Sequence, residues 1–140
     1  MTRPPRVLFV CLHGAAKSVV AAAYFRRLAL AAGVDIDSAS AGVEPDDQIP
    51  QNVIQGLKED GFDLTVERPR ALEAARPETA DIVVSFGCAI EPRPEWGVLI
   101  RWDDIPHVSD GYEIARDAIV RRLHGLLADV KSAAARASRD

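Results

Sequence analysis

A chain of 140 residues, 48% hydrophobic and 27% charged, is sized for one compact domain, 1–140, of ordinary globular composition. Its formal net charge of −4 gives no whole-molecule attraction for nucleic acid or an anionic membrane, so any anion site has to be assembled locally. No apolar run reaches the ~20 residues of a membrane span, the start MTRPPR lacks a signal-peptide core, and two cysteines make no disulfide framework; the expected setting is a reducing cytoplasm.

In chain order, residues 6–10 read as an apolar run, predicting a strand buried on both faces. Residues 18–32 carry Val20, Tyr24, Phe25 and Leu28 at helical spacing and stop at Gly33. The stretch VDIDSASAG, 34–42, alternates like a second strand, and a polar loop follows it. Residues 51–60 predict a helix with Val53, Ile54 and Leu57 inward, and ALEAARPETA a short helix ending before Pro77. DIVVSFG, 81–87, and GVLIRW, 97–102, predict two further strands. A long helix then begins near Gly111, with Ile114, Ile119, Leu123 and Leu127 inward and a frayed, solvated tail from about residue 131. Strands alternating with helices predict an α/β fold, an open parallel sheet with helices on both faces. Ligands of such sheets bind beyond the carboxyl ends of the strands, the edge on which Cys11 and Cys88 both fall.

The stretch CLHGAAKS, 11–18, joins a strand to a helix N-terminus, where unpaired amides and a partial positive charge favour an anion. Gly14 can take positive φ and let successive amides turn inward. Lys17 adds a full charge, and the Ser18 hydroxyl can donate to Cys11; each favours a thiolate nucleophile over a thiol. The competing reading is a buried structural cysteine, and position alone does not separate the two. The nucleotide-binding pattern G-x-x-x-x-G-K-[ST] fits only at Lys17 and Ser18, since Cys11 and Ala16 occupy its glycine positions. His107 and His124 are too isolated for a metal site, and no metal is expected.

The loop, with AAYFRRLA, SAGVEP, LKEDGFDL, ERPRAL and DIVVSFGC after it in order, resembles the low-molecular-weight protein tyrosine phosphatase and arsenate reductase superfamily, most of all its bacterial arsenate reductase branch. The resemblance runs from about Val7 to Leu127 and implies a four-stranded parallel sheet whose first strand lies beside the third, making Cys11 and Cys88 neighbours. It implies a Cys11 nucleophile attacking a small oxyanion or phosphorylated substrate, with backbone amides of Leu12, His13, Gly14, Ala15 and Ala16 as the cradle. Lys17 would neutralise the anion and Ser18 support the thiolate. No cofactor is implied beyond an external thiol, or a thioredoxin-type reductant, if arsenate is the substrate.

Four departures bear on activity. Lys17 replaces the loop arginine of the family and cannot form its planar bidentate pair. Gly14 replaces the family's asparagine. The family's Asp-Pro acid is here Ile105-Pro106, leaving Asp104, with Asp103 second to it, as the candidate proton donor. Where thioredoxin-coupled reductases carry two cysteines after the third strand, Cys88 stands alone as a possible redox partner of Cys11. The alternatives to an enzyme are a catalytically degenerate relative that binds an oxyanion or a partner, and a thiol redox sensor built on Cys11 and Cys88.

Overall fold

The computed structural model describes residues 3–63 and 68–139, with the side chains of 134–139 outside the description. Residues 64–67, from the last residue of LKEDGFDL to the first of ERPRAL, and the last residue of the C-terminal tail also lie outside it. Four strands, β1 (Arg6–Cys11), β2 (Asp37–Gly42), β3 (Ile82–Ser85) and β4 (Val98–Arg101), form one sheet in the order β2-β1-β3-β4, every pair parallel. This is the predicted α/β fold, with β1 beside β3. Central β1 is buried along its whole length, as its apolar run requires. Its register sets Cys11 beside Gly42 on one side and Val10 beside Ser85 on the other.

Strand alternation sends Val7, Phe9 and Cys11 to one face and Leu8 and Val10 to the other. On the first face pack the three α-helices, α1 (Lys17–Ala31), α2 (Gln51–Glu59) and α3 (Tyr112–Arg139). Phe9 meets Phe25 of α1 edge-on at 5.7 Å, and Trp102 stacks edge-on against Phe86 at 5.7 Å. Two short 3-10 helices, Leu72–Ala75 and Pro77–Thr79, cover the second face together with Ile90 and Trp96. The predicted helix over ALEAARPETA is thus split. Pro77 cannot donate to a continuing turn, and Arg76 between the two halves takes φ 53°.

Helix α1 ends as Gly33 predicts: at φ 70° its amide bonds Leu30, and the Val34 amide reaches back to Ala29 at 2.9 Å, so Val34 closes the helix instead of opening β2. On α3 the inward face is Ala115, Ile119, Leu123, Leu126 and Val130, whereas Ile114, expected inward, is 66% exposed. Tyr112 fixes that rotation by lying flat on Gly56 of α2, where even a Cβ would stand 2.5 Å from the ring. The helical backbone continues through the tail to Arg139, and Lys131, Ser132 and Ala133 are exposed.

Candidate functional site

The loop between β1 and α1 is fixed by backbone bonds to the segment after β2. The carbonyls of Cys11, Leu12 and His13 accept from the amides of Val43, Glu44 and Asp46 at 3.3, 2.7 and 3.0 Å. A trans peptide unit points its N–H opposite to its C=O, so the amides of Leu12, His13 and Gly14 are aimed away from that segment. Gly14 holds the turn at φ 61° with its backbone pressed on Gly42; a Cβ there would come 2.6 Å from the Gly42 nitrogen. The predicted positive φ is therefore real, and close approach adds a second reason for glycine.

Helix α1 opens at Lys17 with no side-chain cap and no acidic residue in its first turn. The first helical bond is from Val20 to Ala16, so the amides before it have no partner within the helix. At this end Cys11 Sγ lies 3.0 Å from the Ser18 hydroxyl oxygen. Ser18 is fully buried and Cys11 is 7% exposed. Both side chains thus meet as expected.

Over the thiol lies a cavity of about 440 Å³. Leu12, His13, Ala15, Ala16 and Lys17 line it together with Cys11. Its other walls come from Asp46 and Asn52 and from His107 to Ser109, with Phe86 at the floor side of the sheet edge. Asn52 ties α2 to the segment between β4 and α3 by donating to the Val108 carbonyl at 2.9 Å.

Two sequence-predicted residues are placed elsewhere. Asp104 accepts a hydrogen bond from Arg122 of α3, is exposed, and does not line the cavity. Cys88 packs on the opposite sheet face among Leu8, Val10 and Ile90, its thiol directed to the Val10 carbonyl at 3.7 Å and the Ser85 hydroxyl at 3.3 Å. Cys11 belongs to the helical face. The two cysteines share the sheet edge, as predicted, but not a face, and both are free thiols. Trp96 and Trp102 are core residues, Trp96 donating to the Pro77 carbonyl at 2.8 Å. Arg70 lines a separate cavity beside β2, away from Cys11.

Sequence reasoning missed Asp46. Its signal was the parallel pairing itself: with Cys11 level with Gly42, residues after each strand run side by side, and the acidic stretch EPDD falls against His13. Among the described residues no group of three or more metal-ligating side chains could hold an ion. No helix is long and apolar enough to cross a membrane, the search covering the described residues.

The model of the low molecular weight phosphotyrosine protein phosphatase family matches residues 6–91. A Halobacterium salinarum protein named "Putative arsenate reductase" is 29% identical over 83 residues, 58% of each chain. The thioredoxin-dependent arsenate reductase of Corynebacterium glutamicum superposes with a TM-score of 0.79 at 25% identity, covering 94% of this chain and 64% of its own. Arsenate reductase from Archaeoglobus fulgidus gives 0.69 at 26% identity, over 87% of this chain and 98% of its own. The chain therefore spans about three fifths of the length of the first two of these relatives. The tyrosine phosphatase Wzb of Escherichia coli K30, 19% identical over 89% of this chain and 99% of its own, shares the fold with a TM-score of 0.67. With the family model spanning the loop, the cysteine and three of the four strands, this chain belongs to the low molecular weight phosphotyrosine protein phosphatase family.

Proposed function

We propose that Cys11 attacks a tetrahedral oxyanion held over the loop, in phosphate monoester hydrolysis or arsenate reduction. The observation that carries this reading is the 3.0 Å contact between Cys11 Sγ and the buried Ser18 hydroxyl, at an uncapped helix N-terminus beneath an open cavity. The Ser18 hydroxyl within hydrogen-bond distance of the sulfur, the helix end and the Lys17 ammonium are the polar groups a cysteine nucleophile uses, and the amides of the loop from Leu12 to Ser18 are the donors an oxyanion requires. Lys17 keeps the charge of the family's arginine without its fork. Loss of one charge-assisted hydrogen bond costs about 1.5–3 kcal/mol, which slows turnover roughly tenfold to a few hundredfold if it falls on the transition state.

Hydrolysis needs only water to resolve the thiophosphate. The arsenate reductases among the relatives favour the second reaction, in which a thiol attacks the Cys11 sulfur of the arsenic adduct, a mixed disulfide forms, and the S–As bonding pair leaves with arsenic as arsenite. Because Cys88 faces the other side of the sheet, that thiol would be external, from a small molecule or a thioredoxin-type protein. The alternative is a degenerate oxyanion binder.

The test is turnover of a chromogenic aryl phosphate, and of arsenate with an added thiol, by the protein and by Cys11→Ser. Turnover in at least one assay, lost in Cys11→Ser and raised about tenfold or more in Lys17→Arg, is the expected result. Phosphate binding without turnover would establish the binder instead.

A further inference from the structure

The cavity rim holds a titratable pair that the cysteine chemistry leaves unused. His13 Nδ1 lies 3.3 Å from Asp46 Oδ1 and 3.2 Å from the Glu44 carbonyl oxygen. The Asp46 amide also donates to the His13 carbonyl at 3.0 Å, so one segment holds both the backbone and the ring. Two acceptors facing Nδ1 keep the hydrogen on that nitrogen, and Nε2 becomes the atom that gains or loses a proton. A ring oriented by a carboxylate, beside a nucleophile two residues away, has the parts of a proton-transfer device. With its side chain 54% exposed, His13 stands at the mouth of the cavity. An in-line displacement puts the leaving oxygen on the side away from sulfur, which is the mouth.

We propose that His13, positioned by Asp46, is the general acid and base of the Cys11 reaction, an inference that rests on the phosphate-ester reading of the site. In the first step Cys11 Sγ forms a bond to phosphorus, the ester P–O bond breaks, and the leaving oxygen takes the proton of His13 Nε2. In the second, water attacks phosphorus while Nε2 takes its proton, the P–S bond breaks, and inorganic phosphate and the thiolate are released. Protons and electrons balance with no further reactant. The charged and titratable groups around the ring are Cys11 and Lys17 from its own loop, Asp46 from the segment after β2, and His107 from the segment after β4. Asp104, nearest in sequence to the family's acid, is turned to Arg122.

The experiment compares kcat on phenyl phosphate, a poor leaving group, with kcat on 2,4-dinitrophenyl phosphate, which needs no acid. In His13→Gln the phenyl phosphate rate should fall by about 10²-fold or more, and the preference for the activated ester should rise at least tenfold. Asp46→Asn should raise that preference by a smaller factor, an effect that a merely structural role would not produce. Equal losses on both esters, no loss, or the selective loss in His107→Gln or Asp104→Asn instead of His13→Gln overturns the assignment. Cys11-dependent turnover confined to the activated ester in the unmodified protein overturns it too and leaves the Cys11 reading standing. No Cys11-dependent turnover of either ester overturns both.

Discussion

Gly14 and Gly42 touch backbone to backbone, and neither has room for a Cβ: from Gly42 one would meet the Gly14 nitrogen at 2.5 Å. An L side chain at position 14 pays for left-handed φ, about 1–2 kcal/mol, before any clash is counted. Gly14→Ala should therefore lower stability by more than that amount in urea unfolding, and turnover should fall further than the population of folded protein accounts for. The sequence carried half of this: glycine in a strand-to-helix turn signals positive φ. The Gly42 contact depends on two loops meeting across parallel strands, which no local pattern announces. The same holds for Asp104, whose partner Arg122 is a long way along the chain, and for Asp46, which becomes legible only once β1 and β2 are laid side by side.

At the scale of elements, Asp60 binds the three helices together. It follows α2 and accepts from Tyr24 of α1 at 2.5 Å, and from Tyr112 and Arg116 of α3 at 2.8 and 3.2 Å. Burial pushes the Asp60 carboxyl up, and the hydrogen bonds from Tyr24, Tyr112 and Arg116 outweigh it, holding it below the ordinary 3.8. Burial and the bond to Asp60 push Tyr24 up to about 12 and Tyr112 up as well. A carboxyl depressed in the fold contributes stability that is full above 3.8 and lost as pH falls through its native value. A raised phenol contributes stability that is full below 10 and lost as pH rises through about 12. Urea midpoints against pH should thus fall on both flanks, with a shallower acid limb in Asp60→Asn and a shallower alkaline limb in Tyr24→Phe. Apolar periodicity revealed the helices, while this junction joins residues from three of them and has no sequence period.

Taken whole, the molecule packs its two thiols against opposite faces of the sheet. Cys11 lies among the helix-facing residues and Cys88 among those under the 3-10 turns. Mild peroxide on the native protein should therefore oxidise Cys11 without an intramolecular crosslink, read by mass spectrometry as a Cys11 peptide carrying added oxygen, a Cys88 peptide that still alkylates, and no linked pair. A Cys11–Cys88 disulfide formed without unfolding would mean that the segment after β3 can cross to the other face. The shared edge of the cysteines followed from strands alternating with helices, and the strand order from the family resemblance; the face of each did not, because Cys88 lies beyond the end of β3, where strict alternation has stopped. The carbonyl bonds from Cys11, Leu12 and His13 to residues 43–46 have a practical corollary for anyone transplanting this chemistry. An eight-residue graft of CLHGAAKS onto another parallel sheet would arrive without its buttress, and its peptide planes would be free to rotate. The smallest portable unit is two adjacent strand ends, carrying Gly42 through Asp46 along with the thiol.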